Sequence, residues 1–277
     1  MSGGSQANDL SKMTVVCQIP GVDAVTIRRD VAYQSTEAGT LTMDIYSPPS
    51  ADPGKRVPAV IIVAGYPDRG IEAFYDCKFK DIGSSVSWGK LIAASGMATI
   101  TYTNRDPAAD LDALLQFTKQ NSASLGIDET RMGLWASSGN VPLALSALMS
   151  PRGAELQCAV LCYGYTLDLD GGTGVAEAAK AFRFANPGAG RSVDDLPKNV
   201  SLFIARAGRD ETPRLNETLD RFLARALARN LPVTLANLPA APHAFDLLQD
   251  SAETRNAINQ ILAFLQGNLL QAEAERL

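Results

Sequence analysis

The chain has 277 residues, of which 46% are apolar and 20% are charged, and its 25 basic and 30 acidic residues leave a net charge of -5. This length fits one large α/β domain, and this composition excludes a disordered or collagen-like chain. The acidic balance argues against nucleic acid or an anionic membrane surface as the main partner. No run of the sequence approaches the roughly 18 apolar residues of a membrane-spanning helix, so we expect no membrane association.

Residues 1–21 lack a basic stretch followed by an apolar one, so we expect a flexible N-terminal segment rather than a secretion signal. Residues 22–277 are expected to form the single domain. The four cysteines do not have the spacing of a disulfide framework or a zinc site. Reduced thiols indicate a reducing compartment, so we expect a cytoplasmic protein.

The first predicted elements form an antiparallel hairpin at the edge of a sheet. Residues 25–34 and 40–46 alternate polar with apolar or β-branched residues, and a turn-like composition separates them. The continuous apolar run at residues 59–63 then predicts a strand that is buried on both faces.

From this strand onward, predicted strands and helices alternate along the chain. Further strands are predicted at residues 98–102, 132–136, 156–163, 202–207 and 233–238, and helices at residues 84–94, 107–120, 141–149, 213–230 and 251–269. Asp106-Pro107 and Thr212-Pro213 each predict a helix start, with a capping residue before a proline. The alternation predicts an α/β fold with a mostly parallel central sheet and helices on both faces.

One segment, residues 164–199, is long for a connection between two such elements. It is rich in glycine and aspartate and carries a short helical pattern around residues 175–184. We expect it to be an inserted lid or rim.

A serine lies at the predicted junction between the strand at residues 132–136 and the following apolar helix. Ser137 and Ser138 are both candidates for a nucleophile on this sharp turn. The residues two positions on either side of such a serine crowd each other and should be small. Trp135 disfavours Ser137, so Ser138 is the better candidate.

The chain contains one histidine, His243, which follows the last predicted strand of the sheet. Any proton transfer by an imidazole must therefore use this residue. Asp210 follows the strand at residues 202–207, at the edge where the ligand sites of open α/β sheets collect. The alternatives for an acid are Glu211 and, after the preceding strand, Asp168 or Asp170.

These motifs resemble the α/β-hydrolase superfamily, on its serine esterase and dienelactone-hydrolase-like side. The resemblance covers residue 22 to the C-terminus and rests on a small-x-Ser-x-small turn at residues 136–140, Gly-x-Asp at 208–210 and His-x-Phe at 243–245. It implies an α/β-hydrolase fold in which Ser138 is the nucleophile, His243 the base and Asp210 the acid. Asn140 replaces the usual second glycine of the turn, and because asparagine tolerates a left-handed backbone better than most residues, we expect the turn to form.

Such chemistry also needs two backbone N–H groups for the oxyanion. Gly139 is in place to supply one, because it directly follows Ser138. Tyr66, in the loop after the strand at residues 59–63, is the expected second donor, with Gly65 as the alternative. Pro67 has no N–H and cannot donate.

The sequence therefore predicts a serine hydrolase that cleaves a carboxylic ester or lactone through an acyl-enzyme. We expect this hydrolase to require no cofactor and no metal, and its partner to be a small-molecule ester substrate. A peptidase or an acyl-transferase on the same scaffold is the alternative, because a triad does not define the leaving group or the acceptor. A binding protein without turnover is a third interpretation, and the oligomeric state stays open.

Overall fold

The computed structural model of the protein describes residues 11–49, 51–52 and 54–270. Its centre is an eight-stranded sheet with the strand order β1-β2-β4-β3-β5-β6-β7-β8. The strands are β1 (Thr26–Thr36), β2 (Gly39–Ser47), β3 (Val57–Ile62), β4 (Ala98–Tyr102), β5 (Ile127–Ser137), β6 (Leu156–Cys162), β7 (Ser201–Ala207) and β8 (Val233–Leu238).

The pairing directions confirm a mostly parallel sheet with an antiparallel hairpin at one edge. β1 pairs antiparallel with β2, and β2 pairs antiparallel with β4. All other neighbouring strands are parallel. In the sheet, β4 lies on one side of β3 and β5 lies on the other, so the chain crosses first one way and then the opposite way. Because such crossovers are right-handed, helices cover both faces of the sheet.

The helices described in the structure lie between these strands and after the last one. They are Asp68–Tyr75, Gly83–Ala94, Pro107–Gln120, Ser122–Leu125, Val141–Leu148, Gly174–Phe182, Leu215–Ala228, Phe245–Leu248 and Ala252–Leu269. No helix in the described residues is both long enough and apolar enough to cross a membrane.

Helix starts follow local chemistry in one case and tertiary contacts in another. The Asp106 side chain accepts hydrogen bonds from the first helical N–H groups, so the start predicted at Pro107 is confirmed. The start predicted at Pro213 is wrong, because the helix begins at Leu215 after a left-handed Arg214. Here the carbonyl of Pro213 instead accepts a hydrogen bond from the Tyr165 hydroxyl at 2.8 Å.

Of the predicted flexible segment at residues 1–21, residues 1–10 lie outside the part of the chain that the structure describes. In the remainder, Val15 and Cys17 are buried. The Val15 N–H donates to the Ser87 hydroxyl at 3.0 Å, and the Val16 N–H donates to the Asp246 carbonyl at 2.9 Å. These contacts attach residues 15–17 to the body of the domain.

Candidate active site

Ser138 lies on a sharp turn between β5 and the helix Val141–Leu148. Its φ is 54°, in the left-handed region that residues other than glycine rarely adopt. Such strain persists only where the surrounding structure enforces it, and it concentrates at functional sites. Ala136 and Asn140, two residues to either side, are both buried, so the turn is packed from both ends. The serine is thus held away from the regular backbone of the strand and of the helix.

Three side chains that are far apart in the sequence lie in one hydrogen-bonded row. The Oγ of Ser138 lies 2.9 Å from Nε2 of His243, and Nδ1 of His243 lies 2.6 Å from Oδ2 of Asp210. Burial acts to raise the pKa of Asp210, but its hydrogen bonds with His243 and Thr212 outweigh burial and lower that pKa. An ionised Asp210 holds the proton on Nδ1, which leaves the lone pair of Nε2 directed at the serine hydroxyl.

Neighbouring strands set the distance between Asp210 and His243. Asp210 follows β7 and His243 follows β8, and the two strands are paired in parallel. The Gly208 N–H donates to the Leu238 carbonyl at 2.8 Å, which joins the two loops. A Cβ at Gly208 would lie 2.5 Å from the Pro239 carbonyl oxygen, so a larger residue would separate them.

The loop after β3 reaches the turn that carries Ser138. A Cβ on Gly65 would lie 2.8 Å from Cα of Asn140, so only glycine permits this approach. The Ala64 N–H donates to the Tyr102 hydroxyl at 3.1 Å, and the Gly65 N–H donates to Oδ1 of Asn140 at 2.7 Å. Gly65, the alternative oxyanion donor, therefore already has a partner.

Tyr66 carries the next N–H of this loop. No hydrogen bond engages that N–H within the described part of the chain. The Asn104 side chain donates to the Tyr66 carbonyl at 3.1 Å and so restrains this residue. A Cβ on Gly139 would collide with the Tyr66 hydroxyl, so the two expected oxyanion residues are in direct contact. Gly139 directly follows Ser138, so Tyr66 is one residue removed from the serine.

Asn140 acts through its side chain rather than through an unusual backbone. The expected turn is present, but Asn140 has a φ of -85°, so the turn does not use the left-handed backbone that asparagine tolerates; its left-handed residue is Ser138. Oδ1 accepts from the Gly65 N–H, and Nδ2 donates to the Ser137 carbonyl at 2.9 Å. The amide therefore connects the loop after β3 to the strand end that precedes Ser138, which a glycine could not do.

Part of the segment at residues 164–199 covers this region. The Ala185 N–H donates to the Gly65 carbonyl at 2.8 Å. The Phe184 ring packs edge-on against Tyr66, with ring centroids 6.0 Å apart. A Cβ on Gly139 would lie 2.7 Å from the Phe184 ring, so Phe184 also lies against the residue that follows Ser138. Aromatic side chains thus line one side of the approach to the serine.

The other residues considered for these roles lie outside the row formed by Ser138, His243 and Asp210. Ser137 is the last residue of β5 and has an extended backbone with φ -132°. Asp168 accepts two backbone N–H groups at the start of the helix Gly174–Phe182, Asp170 pairs with an arginine, and Glu211 is exposed. Within the described residues, no three His, Cys, Asp or Glu side chains are grouped so that they could hold a metal ion.

Sequence reasoning did not single out Asn104 or Tyr163, yet both lie against the site. Asn104 follows the end of β4 and restrains Tyr66. Tyr163 directly follows β6, and its ring packs edge-on against His243 with centroids 5.0 Å apart. Their positions after the ends of β4 and β6 could have indicated them, because ligand sites of open α/β sheets collect beyond the carboxyl ends of the strands.

The structure is similar to solved esterases over nearly its whole length. A bacterial heroin esterase superimposes with a TM-score of 0.66 at 15% identity, covering 92% of this chain and 87% of that one. Esterase from the fungus Rhizomucor miehei gives 0.67 at 15% identity, covering 98% and 90%. Thermogutta terrifontis esterase 2, phosphorylated by paraoxon, gives 0.59 at 17%, covering 92% and 95%.

No protein-family model matches the chain, and no curated protein matches it by sequence. The likeness to the solved structures, together with the sheet order and the edge hairpin, shows that the chain has the α/β-hydrolase fold.

Proposed function

We propose that the protein is a serine hydrolase that cleaves a small carboxylic ester or lactone through an acyl-enzyme. The observation that carries this proposal is the row from Ser138 through His243 to Asp210, with contacts of 2.9 Å and 2.6 Å, on a turn where the serine backbone is strained. The similar folds of known esterases support the same reaction class.

In the first half of the reaction, the Ser138 Oγ attacks the ester carbonyl while His243 takes the hydroxyl proton. A serine hydroxyl needs such a base, and an imidazole with a pKa near 6.5 can serve at neutral pH. The negative charge that develops on the carbonyl oxygen is stabilised by the N–H groups of Tyr66 and Gly139. A donor of this kind contributes about 3 to 4 kcal/mol in a well-studied protease.

In the second half, His243 returns the proton to the leaving alcohol, and the ester carbonyl stays bound to Ser138 as an acyl group. A water molecule, deprotonated by His243, then hydrolyses this acyl-enzyme. Asp210 keeps the imidazole in the required tautomer and stabilises its protonated form in both halves. No step requires a cofactor. The four cysteines are free, which supports a cytoplasmic location as part of this proposal.

The decisive experiment compares Ser138→Ala with Ser137→Ala. We expect Ser138→Ala to lower kcat on a short-chain aryl ester by at least about a thousandfold, because the nucleophile is lost. It should also abolish covalent labelling by paraoxon, measured by mass spectrometry of the intact protein. Ser137→Ala removes the neighbouring hydroxyl, which lies near the Tyr163 hydroxyl, so it should keep paraoxon labelling and lose less than about tenfold in kcat.

Retained hydrolysis and labelling in Ser138→Ala would contradict the assignment of the nucleophile. An unlabelled wild type that hydrolyses no ester or lactone would instead favour a binding protein. The same assay, run with a matched ester, lactone and peptide amide, separates an esterase from a peptidase. Added alcohol acceptors would reveal an acyl-transferase through ester exchange products.

A further inference from the structure

A second carboxylate lies three residues beyond the candidate catalytic histidine. Asp246 is in the helix Phe245–Leu248 and is only 2% exposed. Oδ1 accepts a hydrogen bond from the Tyr163 hydroxyl at 2.6 Å, and Oδ2 accepts one from Nε1 of Trp88 at 2.7 Å. Among the described residues, no lysine or arginine forms an ion pair with it, so both of its side-chain donors are uncharged.

This arrangement fits an ionised carboxylate. The Trp88 N–H can only donate, and an ionised carboxylate only accepts, so both of its oxygens are matched. Burial raises the pKa of Asp246, and the hydrogen bonds from Tyr163 and Trp88 offset part of that effect. Burying a carboxylate without a cation is costly, so the fold gains little stability from this residue. A functional contribution would account for its presence.

Tyr163 connects this carboxylate to the imidazole. Its hydroxyl binds Asp246, while its ring packs edge-on against His243 at 5.0 Å and against Phe245 at 5.3 Å. The φ of Tyr163 is 35°, again in the left-handed region, so its orientation is set by tertiary contacts. The neighbouring Gly164 packs against the Ser138 turn, and a Cβ there would lie 2.9 Å from the Ser138 carbonyl.

The groups that face these residues come from several elements. His243 meets Ser138 after β5, Asp210 after β7 and Tyr163 after β6. The carboxylate of Asp246 meets Tyr163 and, from the helix Gly83–Ala94, Trp88. The nearby Cys162 thiol stays neutral, because burial raises its pKa well above the usual value. When His243 is protonated, it is the positive charge that Asp246 can stabilise.

We propose that Asp246 is a positioning residue for His243: through Tyr163 it holds the imidazole against Ser138, and its negative charge stabilises the imidazolium that forms during acyl transfer. This role rests on the proposed function for its effect on rate. Its effect on the protonation of His243 exists with or without a substrate.

The test is the replacement Asp246→Asn, which keeps the size of the side chain and removes its charge. Because His243 is the only histidine, one imidazole signal in the NMR spectrum reports its titration without overlap. We expect its pKa to be lower than in the wild type by about 0.5 or more. On an ester substrate, with rates normalised to paraoxon-labelled sites, we expect kcat to fall by about three- to tenfold with KM within about twofold.

Asp128→Asn is the matched control, because it also removes one negative charge. Asp128 lies near the start of β5 and Ser137 is the last residue of that strand, so the two are at opposite ends of it. This variant should titrate and turn over like the wild type. An unchanged His243 titration in folded Asp246→Asn would overturn the proposal, even if the variant were less stable.

If Asp246→Asn does not fold, Tyr163→Phe provides the second test. It keeps the ring beside His243 and removes the hydroxyl that binds Asp246, so the carboxylate protonates more readily. We expect the pKa of His243 to fall in the same direction by a smaller amount, with a lower kcat and an unchanged KM. A variant indistinguishable from the wild type in both respects would contradict the proposal. A wild type without esterase activity would contradict the proposed function. The NMR titration of His243 would still test the role of Asp246, because it needs no substrate.

Discussion

Asn140 shows how one side chain can couple two loops of the candidate active site. Its amide accepts from the Gly65 N–H and donates to the Ser137 carbonyl, so the loop after β3 and the end of β5 share one residue as a partner. An unpaired buried donor costs about 1 to 3 kcal/mol. Loss of the amide would therefore leave Gly65 without its partner and free the adjacent Tyr66 to move.

We predict that Asn140→Ala lowers kcat on an aryl ester by about tenfold to a hundredfold, which corresponds to about 1.4 to 2.7 kcal/mol. The physical reason is a misplaced Tyr66 N–H rather than a missing reacting group. Steady-state kinetics and the rate of paraoxon labelling measure it. Asn140→Asp, which keeps an acceptor for Gly65, should lose less activity, and equal losses would refute this account.

At the scale of elements, one buried ion pair attaches the edge hairpin to the rest of the fold. Asp44 in β2 is fully buried, and both of its oxygens lie 3.0 Å from Nζ of Lys80, which is itself buried. Arg29 in β1 also contacts Asp44 at 3.1 Å, but its side chain is half exposed. Removing one partner from a buried pair leaves an uncompensated charge.

We predict that Lys80→Met lowers the free energy of unfolding by about 3 kcal/mol or more, because Asp44 stays buried without its main cation. Urea denaturation followed by circular dichroism measures this change. Lys119→Met breaks the exposed pair between Lys119 and Glu155 and should cost less than about 1 kcal/mol. Similar losses in the two variants would contradict the importance of burial at Lys80.

At the scale of the whole molecule, parallel strand order collects the site at one edge of the sheet. The loops after β3, β5, β6, β7 and β8 carry, in that order, Tyr66, Ser138, Tyr163, Asp210 and His243. Since neighbouring strands run in the same direction, their carboxyl ends lie at a common edge.

The same site contains two buried carboxylates, Asp210 and Asp246. The pKa of Asp210 is lowered and that of Asp246 is raised, so the two have opposite effects on stability.

We predict that Asp246 and Asp210 affect the pH dependence of stability with opposite signs. The pKa of Asp246 is raised in the fold, so the folded state binds more protons, and its charge reduces stability as pH rises from about 3.9 through the raised pKa. The pKa of Asp210 is lowered, so its contribution is present above about pH 3.9 and is lost as pH falls through the lowered pKa.

Denaturant unfolding of the wild type, Asp246→Asn and Asp210→Asn between about pH 3 and pH 7 measures these contributions. Relative to the wild type, Asp246→Asn should gain stability as pH rises. Relative to the wild type, Asp210→Asn should lose stability as pH rises from the lowered pKa of Asp210 to about 3.9. Parallel pH curves for the wild type and Asp246→Asn would show that the carboxylate is not perturbed by burial.

Local sequence signals predicted much of the fold, because each depends on residues close in the chain. The apolar run at residues 59–63 and the cap at Asp106 predicted a buried strand and a helix start, and both are observed. The start predicted at Pro213 failed, since contacts of Tyr165 and Asp210 with the same turn compete with helix formation there. Local propensity is a weak prior against such contacts.

For the candidate site, motifs in the sequence selected Ser138, Asp210 and His243, and the structure places all three within hydrogen-bond distance of one another in a row. Their catalytic roles stay predictions. The bridging role of Asn140 and the carboxylate of Asp246 had no motif, because their partners lie 75 and 83 residues away in the chain.

The sequence by itself determined the order of strands and helices, the strand-to-helix turn with its serine, and the single imidazole available for proton transfer. Only the tertiary structure decided that the Tyr66 N–H, in the loop after β3, has no hydrogen-bond partner among the described residues, and that the buried Asp246 binds Tyr163, which packs against His243. The reason is physical. Periodicity and capping act within a few residues, whereas hydrogen-bond partners and burial are set where separate parts of the chain meet.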